Sequence, residues 1–235
     1  MSENGKAPWG TAIGGGIVGS LLTAGLLIVA GPSLLGEKMV RGALLAHPEM
    51  IVDAGEALRD RQYASSLTPI RASLETPFYS SWKGAAKPAV TLTYFFDYAC
   101  GYCRQSNPDI EKLIAENKDL RVIYRELPIL GPDSVAAARV SLAASKAGRF
   151  AQYHDALYAA GRPGADTIAI AAKAAGVPAQ PLDDPAQEAE LKANMGLAGQ
   201  LGATGTPLFV VGDRVINSAV GYDGLRAAIE AARKS

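Results

Sequence analysis

The sequence from residue 89 to residue 103 reads AVTLTYFFDYACGYC, and the rest of the chain is organised around this stretch. Its first eight residues are mostly apolar, β-branched or aromatic, which predicts a buried strand. After Cys103, apolar residues recur at helical spacings of three, four and seven. The stretch therefore predicts a strand that passes into a helix, with Cys100 close to the helix N-terminus.

Cys100 and Cys103 are the only cysteines of the 235 residues. The first N–H groups of a helix have no partner inside it, and the helix dipole adds positive charge there. Both effects favour a thiolate and lower the pKa of Cys100, and the thiolate is the attacking species in disulfide exchange. Cys103, one turn further on, can close a disulfide with Cys100. The spacing favours a reversible two-electron switch over a structural crosslink.

The two cysteines allow two alternatives to a redox pair. A zinc site needs four ligands, and the other soft candidates are His47 and His154, both far away in sequence. We therefore expect no metal ion. A pair of inert buried cysteines is the second alternative, and the strand before and helix after the pair make it less favoured.

Two motifs resemble one family. Residues 95–103, FFDYACGYC, resemble the active-site run of DsbA-like thiol–disulfide oxidoreductases, and residues 205–211, GTPLFVV, resemble the cis-proline loop and following strand of that family. The resemblance covers roughly residues 75–233. It implies an α/β protein with a thioredoxin fold over residues 77–235, carrying a helical insertion at about residues 133–201.

The resemblance also assigns roles to residues. Cys100 would be the exposed cysteine of low pKa, and Cys103 its partner. The backbone at Thr206 would pair with an extended substrate, while Pro207 would pack on the sulfurs and help keep metal ions away. Glu126 follows the second central strand at the same end as the cysteines. It is a candidate buried acid for proton transfer, with a solvated or helix-capping carboxylate as the alternative.

The direction of the reaction stays open between oxidation and the reduction or isomerisation of substrate disulfides. Gly101 and Tyr102 between the cysteines, with Thr206 before the proline, resemble family members that reduce or shuffle disulfides. The single helical insertion resembles the oxidases. No histidine lies between the cysteines, so we expect a milder oxidant than the strongest of the family.

Residues 10–36 contain no charged residue and are long enough to cross a membrane, which predicts an N-terminal transmembrane anchor within residues 1–36. A signal peptide removed by cleavage is the alternative. Disulfide chemistry belongs in an oxidising compartment. We therefore expect a single-pass protein of the inner membrane with its catalytic domain in the periplasm, or a periplasmic protein after cleavage.

Residues 37–76 are predicted to form a helical linker. Leu44, Ile51 and Leu58 recur every seven residues among charged ones, which is typical of an amphipathic helix, started or interrupted near Pro48. The helix would be a spacer or would pack on the domain. An oligomerisation stalk, giving a homo-oligomer through this region, is the alternative.

Lysine plus arginine and aspartate plus glutamate both number 23, so no overall field attracts nucleic acid, and no nucleic-acid partner is expected. The expected function is a protein disulfide oxidoreductase that acts outside the cytoplasm on cysteine-containing proteins, with a membrane redox partner and no cofactor. The alternatives are a membrane-tethered module that binds Cu(I) and a redox-inert assembly module.

Overall fold

The computed structural model describes residues 36–180 and 184–234. These residues divide into two units, one ending at Ala57 and the other beginning at Leu58. The predicted anchor lies almost entirely outside the described residues. Within the described ranges, none of the helices combines the length and the apolar character that a membrane span needs.

The first unit is helical. Residues 36–46 lie in helix α1, and a second helix, α2 (Glu49–Leu67), begins just after Pro48. Residues 49–57 of α2 belong to the first unit and the rest to the second. The break agrees with the interruption predicted near Pro48, because a proline disfavours helical geometry in the residue before it. Apolar side chains of this unit, among them Met39 and Ile51, are exposed.

The second unit is built on one five-stranded sheet. Its strands are β1 (Trp82–Gly84), β2 (Val90–Phe96), β3 (Leu120–Glu126), β4 (Leu208–Val211) and β5 (Arg214–Ile216). They lie in the order β1-β3-β2-β4-β5, where β2 and β3 are parallel and the other neighbours are antiparallel. The predicted central strand is therefore β2, and it is covered on both faces, which explains its nearly continuous apolar run.

Helices cover the sheet. They are α3 (Arg71–Glu75), α4 (Gly101–Glu116), α5 (Pro132–Lys146), α6 (Phe150–Ala160), α7 (Ala165–Ala175), α8 (Pro185–Gln200) and α9 (Gly221–Ala232). Helices α5 to α8 lie between β3 and β4 in the chain, where the helical insertion is predicted. The predicted α/β fold with a helical insertion is thus confirmed.

The last part of the predicted linker packs on the sheet. Leu67 and Leu74, placed in the linker by the sequence, are buried in one cluster with Phe95 and Leu208 of the sheet. That face of the sheet is apolar and has to be covered, and the end of α2 together with α3 covers it. The compact unit that contains the sheet begins at Leu58.

Candidate active site

Cys100 lies at the start of helix α4, directly after the loop that leaves β2. It is the N-cap residue of the helix, and its sulfur accepts a hydrogen bond from the backbone N–H of Cys103 at 3.4 Å. This N–H is one of those that a helix start leaves without a partner inside the helix. The predicted position of the first cysteine, at a strand-to-helix passage, is the observed one.

The loop before β4 closes over the same sulfur. The Thr206–Pro207 peptide bond is cis, and the Cys100 Sγ atom lies 3.2 Å from the carbonyl oxygen of Thr206. Pairing of β4 with β2, in which Leu208 faces Phe95, brings this loop to the end of β2 where the cysteines begin. The structure thus brings the two predicted cysteines and the predicted proline loop together.

The exposure of Cys100 differs from the expectation. Cys100 is 6% exposed and Cys103 is 0% exposed, so both sulfur-bearing residues are buried, and Cys100 is only the more accessible of the two. The Thr206 loop lies against Cys100 and accounts for the difference. Both cysteines are free thiols in this structure.

The surroundings of Cys100 favour its thiolate. A hydrogen bond with the Cys103 side chain is the largest influence that lowers the pKa of Cys100, to about 5, and the Thr206 side chain and the backbone N–H groups of Cys103 and Tyr102 add to it. Burial opposes these hydrogen bonds. At neutral pH the reduced protein therefore carries a thiolate at Cys100.

Cys103 behaves in the opposite way. Burial raises the pKa of Cys103 far above its ordinary value, and the hydrogen bond to Cys100 raises it further. The backbone of Asp97 and the Tyr94 side chain form hydrogen bonds that oppose this rise. One thiol of the pair is thus ready to react, while the other keeps its proton.

Asp97 fixes the active-site loop, a role that the sequence did not predict. Its carboxylate is 1% exposed and accepts hydrogen bonds from the backbone N–H groups of Ala99, Ile129 and Leu130 at 2.8, 2.8 and 2.9 Å. It also accepts the Ser134 hydroxyl at 2.7 Å. The only signal in the sequence is an acidic residue inside an otherwise apolar run. These bonds hold the loop after β3 beside the cysteines.

Glu126 is the last residue of β3 and is 2% exposed. Burial is the main cause that raises its carboxyl pKa well above the ordinary value, while a hydrogen bond with the Ser141 side chain opposes the rise. The carboxylate is therefore buried rather than solvated, and its role in proton transfer stays a prediction. No hydrogen bond links Glu126 to either sulfur within the part of the chain that the structure describes.

A structural metal site needs several ligands that lie close together. Across the described ranges, no three or more side chains of histidine, cysteine, aspartate and glutamate lie together in a way that could hold a metal ion. The thiol pair is therefore a two-ligand site at most in this part of the chain.

Comparison with known families gives a match to the DSBA-like thioredoxin domain over residues 91–230. This range includes both cysteines and the Thr206–Pro207 loop, and it spans more than half of the chain.

Solved structures agree with the family match. A periplasmic thioredoxin-like protein from Salmonella enterica serovar Typhimurium is 34% identical, with a TM-score of 0.65 over 71% of this chain and 97% of that protein. A thioredoxin-like oxidoreductase from Silicibacter pomeroyi is 35% identical, with a TM-score of 0.64 over 70% and 98% of the two chains. The catalytic domain of Proteus mirabilis ScsC is 27% identical, with a TM-score of 0.68 over 74% and 99%.

Among curated proteins, the chain matches the Na⁺/H⁺ antiporter NhaA 3 of Salinispora tropica. The two are 32% identical over 79 residues, which are 33% of this chain and 12% of the antiporter. The chain thus corresponds to about an eighth of the length of that relative, and the match carries no argument for ion transport here.

Proposed function

The chain belongs to the family of DSBA-like thioredoxin domains, and we propose that it is a thiol–disulfide oxidoreductase whose redox-active pair is Cys100 and Cys103. The observation that carries this proposal is the contrast between the two thiols. Cys100 has a pKa of about 5, while buried Cys103, one helical turn away, keeps its proton. A thiolate of low pKa is a good leaving group and is present at neutral pH to attack a disulfide.

In the oxidising direction, a substrate thiolate attacks the Cys100 sulfur of the Cys100–Cys103 disulfide. The S–S bond breaks, its electron pair passes to Cys103, and Cys103 takes up a proton. A second substrate thiolate then attacks the substrate sulfur of the mixed disulfide and releases Cys100 as a thiolate. The substrate loses two electrons and the protein gains two. Reduction of a substrate disulfide runs through the same steps in reverse.

The surface around Cys100 fits an extended polypeptide that contains cysteine. The backbone at Thr206 can pair with such a segment, and Pro207 follows it directly in the cis bond. Three apolar side chains are exposed in this region. Tyr102, between the two cysteines in the chain, is 64% exposed. In the loop held by Asp97, Ile129 is 45% exposed and Leu130 is 47% exposed. These features support cysteine-containing proteins as substrates.

The proposal is tested by insulin reduction and by oxidation of a dithiol peptide. Cys100→Ser is expected to abolish both activities, and Cys103→Ser is expected to accumulate a mixed disulfide. Unchanged activity of Cys100→Ser would refute the proposal, and absence of both activities in the unmodified protein would favour the redox-inert assembly module. Cu(I) bound at one ion per chain, without activity in either assay, would favour the metal-binding module instead.

The direction of the reaction is a further part of the proposal. We expect a mild oxidant that can also shuffle disulfides, because the thiolate of Cys100 is stabilised without a histidine between the cysteines. The reduction potential of the Cys100–Cys103 couple, with refolding of a scrambled disulfide substrate measured on the same sample, tests this. A potential equal to the most oxidising of the family would contradict it.

We also propose that residues 10–36 anchor the chain in the inner membrane, with the domain in the periplasm and a membrane protein as its redox partner. The uncharged sequence of that segment and the periplasmic relative from Salmonella support this placement. The full chain should sediment with membranes, and a chain lacking residues 10–36 should not. An intact mass that lacks the segment would instead support cleavage of a signal peptide.

A homo-oligomer through the helical linker is the last part of the proposal. Ile51 and Leu58 lie seven residues apart on α2 and are 61% and 57% exposed, which supports a second copy of the chain as the partner of this stripe. Light scattering should give a multiple of the chain mass, reduced to one chain by Ile51→Lys with Leu58→Lys. Asp53→Lys, on the same helix, is the matched control and should leave the mass unchanged.

A further inference from the structure

Tyr94 lies in the middle of the central strand and is 0% exposed. Its ring stacks on Phe209 of β4 at 4.9 Å between centroids and packs edge-on against Tyr124 of β3 at 5.7 Å. Both neighbours are also its partners in the sheet register. The ring is thus held on two sides, with its hydroxyl beside Cys103 in the first turn of α4.

The Tyr94 hydroxyl reaches the second cysteine. It donates a hydrogen bond to the carbonyl oxygen of Cys103 at 3.3 Å. The Tyr94 side chain is also among the influences that lower the pKa of the Cys103 thiol. Because a hydroxyl has one proton, donation to a Cys103 thiolate requires the O–H bond to turn from the carbonyl oxygen to the sulfur. Burial is the main cause that raises the pKa of Tyr94 itself, so the phenol keeps its proton and remains a donor at neutral pH. The ionisable groups that face it are Tyr124, Tyr158 and Cys103.

The reaction needs such a donor. Whenever the disulfide opens or closes, the Cys103 sulfur carries negative charge, although it is 0% exposed and burial disfavours that charge. The Cys100 sulfur supplies no donor at that moment, because it is bonded to the substrate. Glu126 makes no hydrogen bond to the sulfurs in the described ranges, so the donors left are the Asp97 backbone and the Tyr94 hydroxyl.

We propose that Tyr94 is a catalytic residue whose hydroxyl donates a hydrogen bond to the Cys103 thiolate as that sulfur leaves or attacks. The inference rests on the proposed thiol–disulfide exchange and deepens it. With oxidised glutathione as the co-reactant, Cys100 first forms a mixed disulfide and releases one glutathione thiolate. The Cys103 sulfur then attacks Cys100, releases the second glutathione thiolate, and gives up its proton to the buffer. Tyr94 acts in this second step.

The two steps can be measured separately in the full chain. The reduced protein is mixed with oxidised glutathione, quenched with acid at set times, and weighed by mass spectrometry, which distinguishes dithiol, mixed disulfide and internal disulfide. Tyr94→Phe removes one oxygen and keeps the ring. We expect the second step to slow about tenfold, as loss of a hydrogen bond to a charged group predicts, so that the mixed disulfide accumulates. The first step should be unchanged.

Tyr124→Phe is the matched control, because it removes a hydroxyl from another buried tyrosine of the same cluster and should leave both steps unchanged. An equal second-step rate in Tyr94→Phe and the unmodified protein would overturn the inference. The first step reports folding, because it requires the low pKa of Cys100, which depends on the folded helix start. Loss of the first step in the unmodified protein would instead refute the proposed function.

Discussion

The Thr206 side chain should be a measurable part of what keeps Cys100 ionised. Its hydroxyl hydrogen bonds to the sulfur and lowers the pKa of Cys100, second only to the Cys103 thiol. Thr206→Val removes the hydroxyl and keeps the shape of the side chain. A hydrogen bond to a charged group contributes roughly 1.5–3 kcal/mol, and one unit of pKa corresponds to about 1.4 kcal/mol. The pKa of Cys100 should therefore rise from about 5 to about 6–7.

Thr206→Val should also lower the free energy of unfolding of the reduced protein at neutral pH. The folded state holds the pKa of Cys100 below its ordinary value of 9.0. The thiolate therefore makes its full contribution to the stability of the reduced protein at pH values above about 9. This stabilisation is lost as the pH falls towards about 5. At pH 7, which lies about two units above the folded pKa of about 5, this stabilisation amounts to about 3 kcal/mol. Thr206→Val should remove about 1.4 kcal/mol of it for each unit by which the pKa rises.

The pKa is measured from the rate of alkylation by iodoacetamide between pH 4 and pH 9, to which buried Cys103 should contribute little. Urea unfolding of the reduced and oxidised forms at pH 7 gives the stability difference, and the reduction potential should fall by about 30 mV for each unit of pKa. Thr204→Val, on the same loop and exposed, is the control. An unchanged alkylation profile in Thr206→Val would refute the assignment of the hydroxyl as a donor to the thiolate.

Three further predictions concern the neighbours of this thiolate. Cys103→Ala should raise the pKa of Cys100 by more than Thr206→Val does, because it removes the largest stabilising influence, as the alkylation profile would reveal. Asp97→Ala should lower the free energy of unfolding by about 3 kcal/mol or more, measured in urea, because several buried donors lose their acceptor. The raised pKa of Glu126 makes folding less favourable as the pH rises above the ordinary carboxyl range, so Glu126→Gln should flatten the dependence of stability on pH between about 5 and 8.

The main features of the site could be predicted from local sequence. A buried strand, two cysteines one turn apart and a helical pattern place Cys100 at a helix start, and this placement depends on near neighbours in the chain. The Thr206–Pro207 loop lies about a hundred residues away, and only its resemblance to a family motif could bring it to the cysteines. The pairing of Leu208 with Phe95 supplies the physical reason for that proximity.

Tyr94 and Asp97 could not be assigned in the same way. Along β2, Tyr94 and Phe96 pack into one cluster and Phe95 into another, so alternate residues do face opposite sides of the sheet. Both sides are buried, however, and the sequence therefore lacks the polar and apolar alternation that would reveal the faces. The role of Asp97 depends on a loop more than thirty residues away, whose backbone N–H groups carry no sequence signal.

The opposite behaviour of the two thiols has one cause that both share. One hydrogen bond between the side chains of Cys103 and Cys100 lowers the pKa of Cys100 and raises that of Cys103. The two sulfurs thus titrate as a pair, and a variant that weakens this bond should move their pKa values towards each other. Formation of a mixed disulfide also weakens this hydrogen bond, because the Cys100 sulfur then carries no charge. Attack of the Cys100 thiolate on a substrate disulfide therefore makes Cys103 easier to ionise at the stage where its thiolate is needed.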